Sequence, residues 1–274
     1  MRLRRFTVSI IWVGLLGTVG CVSEEEQAQR DRVATLEARY QEVAPQVEAF
    51  FEALSYFHAE GPTGPIPADT ADLSPEHRAI VEALDHAYPH VLPEDTFWEF
   101  LPQAPTAEQV VMLWIDPSRE ISTARGMIQF LRTHTHQQTL FDVEYRLTEG
   151  EWPKEWTDPD QYPDLEERDA ARDAVLAAMD YLTQLDYVIA AAPLLLDPPT
   201  MLEERNFEGG MLVARVHVYS LEEKKDYQPG YARGVPPFMA YVFGNSAESQ
   251  QRSLTSQLPD ELFDEIKETL RDPE

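Results

Sequence analysis

The chain has 274 residues, of which 43% are hydrophobic, so it can bury a substantial core. Its 49 acidic residues outnumber its 22 basic ones, for a net charge of −27. That balance repels nucleic acid and anionic lipid headgroups and excludes a nucleic-acid role. Aromatic residues make up 10%, more than an acidic disordered tail would carry.

MRLRR is a positive start, and residues 6–20 (FTVSIIWVGLLGTVG) form an apolar run. A hydrocarbon core needs about 20 apolar residues to span, so this run has the length of a signal peptide. It ends at Cys21, the only cysteine in the chain. Val19-Gly20-Cys21 resembles the end of a lipobox, the recognition site of the bacterial lipoprotein precursors, with Thr18 where that family usually has Leu. The resemblance covers residues 1–21. It implies cleavage after Gly20, diacylglycerol on the Cys21 thiol and acylation of the new N-terminus. Val22, not Asp, implies the outer membrane by the family's sorting rule. A soluble product cut after Gly20 and an uncleaved anchor are the alternatives. Loss of Arg2, Arg4 and Arg5 with the leader would deepen the charge to −30.

Residues 21–30 are expected to form a lipidated polar tether. Apolar residues then recur at Val33, Leu36, Tyr40, Val43, Val47, Phe50, Leu54 and Phe57, a 3-4-3-4 spacing that predicts a helix. Pro45 falls opposite the stripe, so the pattern predicts one kinked helix or two nearly collinear ones. Ala44, Phe51 and Ala53 widen the stripe, as docking on the chain's own core requires; a coiled-coil dimer through residues 30–43 is the alternative.

Residues 61–69 (GPTGPIPAD) form a loop, and Ser74-Pro75-Glu76 opens a helix. Thr106 to Gln109 reads as a capping box before VVMLWI, which is too short to assign as helix or strand. A helix is expected after Asp116-Pro117, through Ile121, Ala124, Ile128 and Leu131. FDVEYRL (141–147) alternates and predicts a half-buried strand. Asp164 to Leu185 is an amphipathic helix. Residues 187–196, 210–221 and 237–243 read as three strands of an antiparallel meander, with 222–230 as a connector, and a last helix starts at Pro259. The expected class is α+β, an N-terminal helical region followed by a small antiparallel meander packed against helices. Residues 31–148 would be mainly helical and 149–274 would carry the meander, with one compact unit over 31–274 as the alternative.

No nucleophile elbow, phosphate loop, dinucleotide fingerprint, HExxH or paired CxxC occurs. His134 and His136 could share zinc or copper on a strand, with Glu144 as a third ligand, but they lie where a helix is expected to end. His86 and His90 are separated by Pro89. Asp158, Asp160 and Asp164 lack the order of a calcium loop. His217 is read as a partly buried histidine with a backbone partner. Trp152, Trp156 and Tyr162 sit on a proline-rich loop and either recognise a glycan or peptide or cover the edge of the core. The sequence therefore points to no cofactor and to a membrane-anchored, non-enzymatic envelope protein. Its expected partners are the bilayer, through acylated Cys21, and an envelope protein or glycan; a tethered metal-dependent hydrolase and a small-molecule binder are the other readings.

Overall fold

YVIAAAPLLLD (Tyr187–Asp197) forms β3, the central strand of the sheet. A computed structural model describes residues 24–59, 66–67, 97–115, 124–132, 137–153, 165–202, 206–236, 243 and 246–271. Two strands lie parallel along one edge of β3. β2 (Val110–Trp114) runs from Val110 opposite Tyr187 to Trp114 opposite Ala191, and β1 (Ile66–Pro67) lies opposite Leu195 and Leu196. On its other edge β3 pairs antiparallel with β6 (Met211–Ser220), which pairs antiparallel with β7 (Lys225–Gly234). Between β3 and β6 the chain makes a small ribbon of β4 (Thr200–Met201) and β5 (Phe207–Glu208). The class is α+β, and the meander of the sheet is β3-β6-β7.

Both faces of the sheet are buried, which is why β3 is an almost unbroken apolar run and does not alternate. On one face Val111, Leu113, Val188, Ala190, Ala192 and Tyr219 meet the helices α1 (Glu24–Ala59), α2 (Gln137–Glu149) and α3 (Leu165–Gln184). On the other, Val110, Met112, Ile189, Ala191, Val216 and Val218 meet Phe97, Trp98 and the helix α5 (Leu258–Glu268), which presents Leu258, Leu262, Phe263 and Ile266. Each of these large side chains contributes about 1.5–3 kcal/mol by leaving water. The Trp98 indole N–H donates to the Thr269 carbonyl at 3.0 Å, and Arg271 N–H donates to the Pro105 carbonyl at 3.0 Å. The end of the described chain is thereby tied to residues 98–105. The shorter α4 (Ala247–Thr255) is capped by Ser246, whose hydroxyl accepts from Ser249 N–H.

α1 is one helix of 36 residues, and it runs through Pro45. Proline removes one backbone donor, which leaves the Gln41 carbonyl free. Both residues are exposed, so water can satisfy that carbonyl. The predicted stripe is buried: Leu36, Tyr40, Val43, Val47, Phe50, Leu54 and Phe57 all lie in the chain's own core. This decides against a dimer seam there. The helix begins at Glu24, so most of the segment expected as tether is helical. Arginine–carboxylate pairs set its position: Arg168 to Glu25 at 2.9 Å, Arg32 to Asp169 at 2.6 Å and Arg39 to Asp180 at 2.6 Å link α1 to α3. Arg146 of α2 grips Glu37 with two bonds, 2.7 and 2.9 Å, and lies 4.8 Å from the Tyr40 ring centre. Hydrogen bonding from Arg146 is the main reason the Glu37 carboxyl is held below the ordinary carboxylate range.

Two further expectations are corrected. FDVEYRL is not a strand; it lies inside α2. Phe141, Val143, Tyr145 and Leu147 have period two, but Leu140, Val143, Glu144 and Leu147 have helical spacing, and the most deeply buried are Leu140 and Val143 at 0%. Residues 222–230 are not only a connector, because β7 starts at Lys225. Val216 faces Gly230 and Val218 faces Tyr227, so Gln228 and Pro229 bulge opposite His217. Among the described strands β7 lies at the edge of the sheet, where a proline at a bulge interrupts no inner ladder. The helix expected after Asp116-Pro117 is described over residues 124–130, where it is a 3-10 helix. VVMLWI becomes β2, and Thr106 N–H donates to Gln109 Oε1 at 2.9 Å before it. The strand expected over 237–243 and the helix expected from Ser74 lie outside the described residues, apart from Phe243.

Two predictions follow from this packing. A Cβ at Gly234 would overlap the Leu258 carbonyl oxygen at the start of α5. Gly234→Ala should therefore destabilise by about 1–3 kcal/mol, read as a lower urea midpoint. For Glu37 the carboxyl is lowered in the fold, so its stabilisation is present at neutral pH and is lost as pH falls through the folded value. Glu37→Gln should bring urea midpoints measured at pH 7 and pH 3.5 closer together. The effect should be modest because the carboxylate side chain is 37% exposed.

Candidate functional site

The last turn of α1 lies against the strands β6 and β7, and three polar side chains meet there. His217 stands on β6 on the face turned to α1, in line with Tyr219. Asp226 is the second residue of β7 and lies directly opposite Tyr219. Tyr56 comes from α1. Its hydroxyl donates to Asp226 Oδ2 at 2.9 Å, and His217 Nδ1 lies 2.8 Å from the same oxygen. Gln228, from the bulge, adds a longer contact of 3.4 Å. Rings close the sides: Phe57 stands edge-on to His217 at 5.9 Å, and Tyr56 lies 5.3 Å from Tyr219. Burial, more than the nearby Glu52 charge, pushes the Tyr219 phenol up from its usual value.

An ionised Asp226 can only accept, so Nδ1 carries the proton, and in the neutral ring Nε2 keeps the lone pair. The histidine side chain is 15% exposed and the aspartate 7%. Asp226 Oδ1 is buried and meets no donor among the described residues. Leaving such an oxygen without a donor costs about 1–3 kcal/mol. Among the described residues no hydroxyl or thiol lies in hydrogen-bond contact with Nε2. The geometry suits an oriented hydrogen-bond acceptor.

His217 is thus partly buried as expected, but its partner is a carboxylate and not the backbone. The other sequence candidates lie elsewhere. Trp152 is 5% exposed and packs edge-on to Tyr40 at 6.0 Å, so it covers the core. Glu144 is 9% exposed on α2. Cys21, His86, His90, His134, His136, Trp156, Asp158, Asp160, Tyr162 and Asp164 lie outside the described residues. Among the described residues no group of three or more His, Cys, Asp or Glu side chains could hold a metal ion. Asp226 and Tyr56 carried no signal in the sequence: one stood in a segment read as a connector, the other among the aromatic residues of a helix end.

No protein-family model, curated protein or solved structure matches the chain.

The shared oxygen makes the constellation cooperative. Tyr56→Phe should cost about 0.5–1.5 kcal/mol, the worth of one hydrogen bond. Combined with Asp226→Asn it should cost less than the sum of the two single changes, by at least about 0.5 kcal/mol. Urea unfolding of the four proteins of that cycle is the measurement.

Proposed function

We propose that the protein is a lipid-anchored envelope protein, held by acylated Cys21, whose folded body binds another molecule and performs no catalysis. The observation that carries this reading is the apolar run ending at the chain's single cysteine, with α1 starting three residues later. Three residues span at most about 11 Å. A lipid on Cys21 would therefore sit close to a helix that Glu25 and Arg32 clamp to α3. Two acyl chains give stable anchoring at about 0.8 kcal/mol per buried CH₂. Repulsion between the acidic body and anionic headgroups is screened within about 8–10 Å at physiological salt, so the anchor prevails. Val22 after the cysteine favours the outer membrane. Among the described residues no helix is long and apolar enough to cross a membrane. A binding role is supported by the lack of catalytic motifs in the sequence.

Expression of the full chain in a Gram-negative host with labelled palmitate tests the anchor. The mature N-terminus should be an acylated cysteine by mass spectrometry, and the protein should stay with membranes in high salt. Cys21→Ser should lose the label and appear in the soluble fraction or as uncleaved precursor. An unmodified thiol on a protein that salt washes away would overturn the proposal.

A further inference from the structure

We propose that residues 24–35, the start of α1, are a releasable strap. Docked on α3 through the pairs Glu25–Arg168 and Arg32–Asp169 it keeps the lipid tether short, and released it lengthens that tether. Burial divides the helix in two. None of residues 24–35 is buried, and Val33 packs only partly covered against the core. From Leu36 onward the stripe is in the interior, with Leu36 at 1%, Tyr40 at 5%, Val47 at 0% and Phe50 at 0% exposure. Opening the strap therefore uncovers no buried apolar side chain and meets little of the penalty that keeps residues 36–57 in place.

Charge holds the strap down. Arg168 donates to Glu25 at 2.9 Å and Arg32 Nε donates to Asp169 at 2.6 Å. Both guanidiniums are covered, at 4% and 11% exposure, whereas their carboxylates face water at 53% and 47%. Like charges push the other way. Glu25, Arg32 and Arg39 meet Arg168, Asp169 and Asp180 in the same order along both helices, so α1 and α3 run parallel. The first-turn acids Glu24, Glu25 and Glu26 thus lie at the same end as Glu166 and Glu167 of α3, where they repel. Two arginines set the balance. A helix end of this length gains little from propensity alone, so it unwinds once undocked. Cys21 stands three residues before Glu24 and fifteen before Leu36. The reach from lipid to body therefore rises from at most about 11 Å to about 50 Å.

The consequence at the membrane rests on the reading of Cys21 as acylated, whereas the strap itself does not. Full-length protein in detergent micelles is followed by hydrogen exchange and mass spectrometry. In the wild type, amides of residues 28–35 should exchange about tenfold slower than an unstructured peptide and about a hundredfold or more faster than those of residues 47–57. Arg32→Gln with Arg168→Gln should speed residues 28–35 by about tenfold and leave residues 47–57 unchanged. A dye on Glu167→Cys, beside the docked strap, should lose energy transfer to acceptor-labelled lipids when that double change is added in bilayers. Overturning results are one common exchange rate along α1, residues 28–35 exchanging like an unstructured peptide in the wild type, or exchange or transfer unaltered by the double change. The wild-type contrast reports even if the double variant does not fold. Mass spectrometry of the same samples reads Cys21 and separates the two proposals. An unmodified thiol overturns the anchor and leaves the strap to the exchange readout; acylated Cys21 with uniform exchange along α1 overturns the strap alone.

Discussion

Burial of β3 on both faces is the constraint from which the other elements take their places. A strand whose successive side chains, Val188, Ile189, Ala190 and Ala191, are all at 0% exposure needs a cover above and below. α1, α2 and α3 supply one cover, and α5 with Phe97 and Trp98 supplies the other. The register follows from the same requirement, since a slip of one residue would exchange the two faces of every neighbouring strand. β2 and β6 therefore meet β3 in only one alignment, and β6 in turn fixes where His217 stands.

The elements legible in the sequence were those whose burial leaves a regular mark. α1 kept a helical spacing over seven turns, α3 did so over five, and the runs of β3 and β6 were too apolar for any exposed structure. Elements with mixed marks were misread. In α2 the period-two pattern of Phe141 to Leu147 coexists with the helical set Leu140, Val143 and Leu147, and only packing against α1 selects between them. β7 has Lys225, Asp226, Gln228 and Pro229 where an inner strand would be apolar, because among the described strands it lies at the edge of the sheet and carries a bulge. α4 buries only Leu254 and so leaves almost no periodic trace.

The candidate site was less legible still, for the same reason. His217 stood out as a histidine within a strand, but its chemistry depends on Tyr56, 161 positions before it, and on Asp226 across a turn. Spacing along one chain cannot announce a meeting of a helix end with two strands. What the fold adds is direction: Asp226 sets which imidazole nitrogen faces outward, and Phe57 limits the ring's movement.

The two outer margins of the sheet have a consequence for life at high local concentration. A bare margin is a template on which another copy could add its own backbone, and proteins crowded onto a surface meet copies of themselves often. Here Arg233 N–H of β7 donates to the Glu265 carboxylate at 3.1 Å, and Pro229 offers no donor at all. Along β2, Leu131 bridges Leu113 and Arg132 N–H donates to the Met112 carbonyl at 2.8 Å. With those groups engaged inside the molecule, neighbouring copies have less on which to nucleate a shared ladder, and crowding need not turn into aggregation.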